Sequence, residues 1–187
     1  MSVDARGFSL PETLIAMAIG SVLLLGTARF LPALQRQVLK QTQQQALDNE
    51  LWQRLYTVAK HLQRAGYCRG SCVGQPLQIA GSGDCVIVRW DSASDGVWNT
   101  SPEAMSDATG FRLRNGALET RRGAASCAEQ GWERMTNPGA IEVTRFQVKR
   151  LDITGFAPEL SIVLAARSTR DPGITAQAEY SVTGYNL

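Results

Sequence analysis

Gly7-Phe8-Ser9-Leu10-Pro11-Glu12 leads directly into Thr13-Leu14-Ile15-Ala16-Met17-Ala18-Ile19-Gly20-Ser21-Val22-Leu23-Leu24-Leu25-Gly26-Thr27-Ala28, a run without a charge. Between Phe8 and Ala28 the one ionisable side chain is Glu12. At about 1.5 Å per residue, a helix needs roughly 20 apolar residues to cross the hydrocarbon core of a bilayer. The stretch therefore has the length of a transmembrane helix, and Arg29 is the first cation to stop it. An ordinary secretory signal has a shorter apolar core followed by a small-residue cleavage site. Here the bulky Arg29-Phe30-Leu31-Pro32 and then a glutamine-rich segment follow instead.

Glu12 needs an explanation, because a carboxylate near the start of a spanning helix costs ~3 kcal/mol or less, depending on depth. The helix macrodipole gives one reason for an acid in the first turn. Cleavage before Phe8 gives another: it would create an amine able to pair with Glu12 of its own or a neighbouring chain. Gly7-Phe8-Ser9-Leu10 followed by Glu12 resembles the processing site of type IV prepilins, which favours the second reason. Pro11 departs from the commonest pattern of that site, which has an aliphatic residue there. Its ring clashes with the carbonyl four residues earlier, that of Gly7, so the uncut junction is expected to stay non-helical. After cleavage Pro11 falls in a first helical turn, where a missing N–H costs nothing.

The chain has 187 residues and a formal net charge of +2. Without the first seven residues and the apolar span, roughly 120 residues remain, one ordinary domain. The mixed charge provides neither a nucleic-acid stripe nor an acidic tail. Arg112/Arg114 and Arg121/Arg122 read as a solvated sheet face. Around the span, Arg6 and the initiator amine, offset by Asp4, face Arg29, Arg36 and Lys40 across it. A count of positive charges would put the C-terminal side in the cytoplasm. The cysteines argue the opposite. Cys68, Cys72, Cys85 and Cys127 lack the paired spacings of a zinc site, and the single histidine, His61, lies upstream. An even number of cysteines behind an export signal reads as two disulfides in an oxidising compartment. Three connectivities exist; Cys68–Cys72 closing a loop and Cys85–Cys127 tying strand ends is preferred.

Beyond the span the helix is expected to continue, bent at Pro32. Gln35 to Gln45 is rich in glutamine, and then Leu51, Leu55, Val58 and Leu62 form one apolar stripe, stopped by Gly66. Strand and turn signals follow. Leu77–Ile79 and Val86–Val88 flank a hairpin-like connection, and Asn115-Gly116 joins two further strands. Three longer strands are predicted at about 141–151, 160–166 and 176–183, the middle one central. Helix first and antiparallel strands after it make an α+β protein. The expected divisions are a leader at 1–7, a span at 8–31, a helical continuation at 32–66 and a disulfide-containing β domain at 67–187.

Catalytic constellations do not assemble. A Ser/His/Asp arrangement would rest on His61, which sits in plain helical sequence. Gly81-Ser82-Gly83 lacks the spacing and following helix of a phosphate loop. The chain is read as non-enzymatic and without a cofactor. Asp91-Ser92-Ala93-Ser94-Asp95-Gly96 resembles the start of a calcium loop, with Asp91 and Asp95 as ligands. The match is incomplete: Ala93 replaces a ligand, and Pro102 stands where the bidentate glutamate belongs, with Glu103 one further on. An Asp-Gly turn accounts for the same residues.

The likeness extends along most of the chain. Gly7–Leu10 and Glu12, His61-Leu62-Gln63-Arg64-Ala65-Gly66-Tyr67-Cys68, Gly83-Asp84-Cys85-Val86-Ile87-Val88 and Tyr180-Ser181-Val182-Thr183-Gly184-Tyr185-Asn186-Leu187 together resemble the type IV minor pilin and pseudopilin family, in its pseudopilin J / pilus W class. The resemblance implies a pilin-like α+β fold, cleavage by prepilin peptidase after Gly7 and N-methylation of Phe8. It further implies an inner-membrane anchor with a periplasmic domain, and assembly with other minor pilins and the major pilin into a tip complex that primes type IV pilus growth. Helices would bundle through Leu14, Ile15, Ile19, Val22 and Leu23, with Glu12 facing an amine. A type II secretion pseudopilin shares every N-terminal feature. A membrane-anchored module capturing DNA or a glycan would instead use exposed Trp90, Trp98 and Trp132.

Overall fold

The computed structural model describes residues 7, 9–100 and 105–187, with the backbone alone at residue 29. One helix, α1 (Leu10–Arg64), is followed by β1 (Leu77–Ile79), β2 (Cys85–Arg89), β3 (Ala108–Arg114), β4 (Ala117–Arg122), β5 (Glu133–Arg134), β6 (Ile141–Leu151), β7 (Glu159–Ser168) and β8 (Thr175–Thr183). The chain forms two compact units, divided after Gln43. In the first, α1 carries apolar side chains on every face, and Leu10, Leu14, Ile15, Met17, Val22, Leu24 and Phe30 are all exposed. Pro32 lies inside the helix and does not end it.

In the second unit α1 becomes one-sided. Leu47, Leu51, Leu55, Val58 and Leu62 are buried on the i, i+4, i+7 spacing, and together they supply the helical half of the core. The sheet half comes from Val86 and Val88 of β2, Phe111 and Leu118 of the β3–β4 hairpin, and Phe146, Leu160, Ile162 and Leu164 of β6 and β7. Burying each large side chain contributes about 1.5–3 kcal/mol, which is why the stripe docks here. The helix ends at Arg64, and the Gly66 N–H donates across to the Arg89 carbonyl at 2.8 Å.

The strands form two antiparallel sheets, five strands in the order β1-β2-β3-β4-β5 and three in the order β6-β7-β8. The sequence predicted a domain of antiparallel strands without giving the number of sheets. The division arises because β6 meets the first sheet only at its turns: Val143 donates to the Gly116 carbonyl and Val148 to that of Gly83, each at 2.8 Å. The β3–β4 turn is made by Asn115 (φ 49) and Gly116 (φ 70), the two left-handed residues of a type I′ hairpin. The middle strand of the second sheet, β7, buries Leu160, Ile162, Leu164 and Ala166 on one face and leaves the other half-buried. The two-residue β5 was not anticipated; it is too short to carry a periodic signal.

Arg112 corrects the expectation of a solvated arginine face. It is 7 % exposed, its Nε donates to Glu119 at 2.8 Å and its Nη1 donates to the carbonyls of Cys127 and Glu129. The indole of Trp132 lies against the guanidinium, 4.3 Å from ring centroid to Cζ. A segment after β4 thus covers the sheet face that points away from the helix. Gly110 permits that cover, because a Cβ there would sit 2.6 Å from the Trp132 ring. Cys85–Cys127 fastens the cover to β2, and Cys68–Cys72 closes a short loop after the helix. The first bridge spans 42 residues and the second only 4. Loop-closure entropy therefore assigns roughly 4 kcal/mol to Cys85–Cys127 and roughly 2 kcal/mol to Cys68–Cys72. Urea denaturation of the two double-serine variants should show the larger loss for the Cys85/Cys127 pair.

Candidate functional site

The N-terminal segment is built by the start of α1. Gly7 and Ser9 lie outside the helix, and the Ser9 carbonyl accepts the first bonds, from Glu12 N–H at 3.1 Å and Thr13 N–H at 3.2 Å. Thr13 Oγ1 donates to the Leu10 carbonyl at 2.8 Å. Pro11 therefore occupies the first turn, where no intrahelical donor is required of it. Gly7 is exposed, and a Cβ at this residue would meet nothing within 4 Å among the described residues. Phe8 and residues 1–6 lie outside the described residues. Glu12 is exposed in the first turn, where the macrodipole favours it, and it has no ion pair among the described residues. A few turns on, Ala18, Ile19, Val22 and Leu23 frame an apolar notch on the helix surface.

The aspartates singled out as calcium ligands do a different task. Asp91 is fully buried, and its carboxylate accepts backbone N–H groups from Arg69 at 3.1 Å, Asp95 at 3.0 Å and Gly96 at 2.9 Å. Burial alone would raise its pKa; these N–H groups and that of Ser94 outweigh it and hold the carboxylate below its ordinary value. The positive ends of several peptide dipoles thus point at the oxygens a cation would need. Asp95 instead accepts from Val97 N–H and Asn99 Nδ2. The two sulfurs of Cys68 and Cys72 come within 4.8 Å of each other and of the Asp91 carboxylate, but they are joined as a disulfide and offer no thiolate. Residues 102 and 103, the rest of the suspected loop, lie outside the described residues.

Asp107 repeats the arrangement of Asp91. It accepts from the backbone N–H and the hydroxyl of Ser92 and from Asn99 N–H, and these donors keep its pKa low against the opposing effect of burial. Asp107 holds the 91–99 loop to the start of β3, and Asp91 holds it to Arg69 in the segment after the helix. The tryptophans named as exposed ligand contacts are half-buried. The Arg64 guanidinium lies 4.7 Å from the Trp90 ring centroid, Trp98 Nε1 donates to the Tyr67 carbonyl, and Trp132 stacks on Arg112.

His61 was read as an ordinary helix residue, but it packs edge-on against Phe111, 5.2 Å between ring centroids. No signal in its flanking sequence marks this, because the partner comes from β3. Its Nδ1 is buried without a hydrogen-bond partner among the described residues.

An acid in the first turn and one long apolar helix that goes on to pack against antiparallel sheets define a type IV pilin-like organisation. Residues 4–28 match the model of the prokaryotic N-terminal methylation motif, and residues 40–184 match that of prepilin peptidase-dependent protein B. The prepilin peptidase-dependent protein B of Escherichia coli (strain K12) is 57 % identical over 187 residues, covering all of both chains. The chain belongs to the prepilin peptidase-dependent protein B family. No solved structure matches it. The long apolar helix and the methylation motif fit a membrane-anchored protein incorporated into a pilus.

Burial, and secondarily the Arg64 charge, lowers the His61 pKa from 6.5 to about 4, so the folded protein holds a neutral ring. Above pH 6.5 neither the folded nor the unfolded state protonates it, and its effect on stability is nil. As the pH falls, the unfolded state takes up the proton first, so stability declines until the folded ring also titrates near pH 4. The loss amounts to about 3 kcal/mol. Asp91 and Asp107, both held below 3.8, begin to add their own loss at the acid end of this window and do so mainly below it. Urea denaturation between pH 7 and about 4 should show that decline in the native protein and a much flatter profile in His61→Gln.

Proposed function

We propose that this chain is a minor pilin. Prepilin peptidase cuts it between Gly7 and Phe8, the new Phe8 amine is methylated, and the product joins other minor pilins and the major pilin in a tip complex that initiates type IV pilus assembly. The observation that carries this reading is the α1 surface from Leu10 to Leu39, where large apolar side chains are exposed on all faces. Such a surface is stable only in lipid or against other helices. The first environment is the inner membrane before assembly and the second is the filament core after it, with the β domain on the periplasmic side. The disulfides suit that compartment.

Hydrolysis of the Gly7–Phe8 peptide bond adds water, leaving a carboxylate on the leader and an amine on Phe8. Methylation keeps that amine protonated. Glu12 stands within the first turn as the available counter-charge. Once subunits stack, a carboxylate and an amine in a dry helix bundle hold each other in one register. Removing one partner of such a buried pair costs about 3–5 kcal/mol. The rest of the bundle contact falls to Leu14, Ile15, Ile19, Val22 and Leu23. Nothing in this role asks the β domain for chemistry: its buried carboxylates are committed to backbone donors.

Two variants test the two halves of the mechanism. Glu12→Ala should be cleaved normally yet recover several-fold less of the partner minor pilins on co-purification; undiminished recovery counts against the pairing. Pro11→Leu removes the restraint that keeps the uncut junction extended. Immunoblots of precursor and mature forms should show slower conversion, and equal rates would reject the role given to Pro11.

A further inference from the structure

Between the last turns of α1 and the helix-facing side of β3, β4 and β5 lies a cleft of about 380 Å³, inside the usual range for small-molecule sites. Its floor follows from strand register. Thr109 faces Arg122, and Thr120 lies opposite both Phe111 and Glu133, so these side chains emerge on one face of the sheet. His61 and Trp90 close the cleft. No step of pilus assembly described above uses it.

The chemistry of the lining narrows the occupant. Among the described residues its charged members are Arg121, Arg122, Asp107 and Glu133, two of each sign, and His61 is neutral. A balanced lining does not concentrate phosphates, nucleic acid or any other strong anion. A metal is disfavoured because the Asp107 oxygens already accept from Ser92 and Asn99. A purely apolar ligand would displace water from the exposed Arg122 and Glu133 side chains without replacing its hydrogen bonds. What remains is a neutral molecule with many hydroxyls and one apolar face.

Donors and acceptors for such a molecule are in place. Arg122 is oriented by its Nε bond to the Ser106 carbonyl at 3.1 Å, and its Nη groups have no acceptor among the described residues. The Glu133 carboxylate likewise accepts nothing from the described residues. Arg64, which does not line the cleft, holds the Trp90 indole at its edge. An aromatic ring beside paired donors and acceptors suits a pyranose, whose C–H face packs on the ring while its hydroxyls meet the polar groups. We propose that this cleft binds a neutral saccharide unit, one or two sugars in size, through Trp90, Thr109, Arg122 and Glu133.

The test uses the full chain in phospholipid nanodiscs, free of glycoside detergents, titrated calorimetrically with cellobiose, lactose and N,N′-diacetylchitobiose, and with 3′-sialyllactose as the acidic comparison. At least one neutral disaccharide should bind saturably, and Arg122→Ala and Thr109→Val should each weaken it about tenfold or more. Arg122 is exposed and Thr109→Val conserves shape, so both variants should fold; circular dichroism checks this. Arg150→Ala, outside the cleft, should bind as the native protein does. The proposal is overturned if no neutral disaccharide gives saturable heat, if only sialyllactose binds, or if binding survives both cleft substitutions.

Discussion

The rest of this protein depends on where α1 stops being apolar all round. From Leu10 through Leu39 its large apolar side chains are exposed, whereas from Leu47 to Leu62 one stripe is buried to 4 % exposure or less. A helix of the first kind must be taken out of water by something other than its own fold. A helix of the second kind is an ordinary core element. One continuous element thus carries both the demand for a membrane or a filament and the organising half of a domain core.

Around that stripe, the β domain meets its polar obligations locally. Arg112 is buried, yet Glu119, two carbonyls and the Trp132 face satisfy it. Asp91 and Asp107 are buried, yet each accepts a set of N–H or O–H donors. These groups lock the 91–99 loop and the segment covering the outer sheet face, where the hydrophobic area is too small to do so alone. Arg112 and Glu119 depend on each other, since removing either leaves the other as a buried charge without its ionic partner. The cleft beside His61 has a different character: the Nη groups of Arg122 and the Glu133 carboxylate find no partner among the described residues.

Much of this was legible in the residues. The apolar run, the stripe Leu51–Leu55–Val58–Leu62, the Asn115-Gly116 turn and the alternation in β7 are local signals, each with its own period or backbone requirement. The site was legible only in part. Gly7, Phe8 and Glu12 lie within six consecutive residues and read as a motif, and Asp91 was visible as a turn residue. Its actual partners, Arg69 across a 22-residue gap and its own loop, were not. Arg112 was misread because strand alternation tells which residues share a face but not which face a later segment covers.

Taken by itself, the sequence determined the helix, the strands and the N-terminal methylation motif, because each depends on neighbours along the chain. The tertiary structure alone decided the division into two sheets, the burial of Arg112, the commitment of Asp91 and Asp107 to backbone donors, and the cleft walled by His61 and Glu133. Each of these brings together residues from distant elements, such as Trp132 against Arg112 or His61 against Phe111. Contacts of that kind are set by how the elements pack, and no period within one element encodes them.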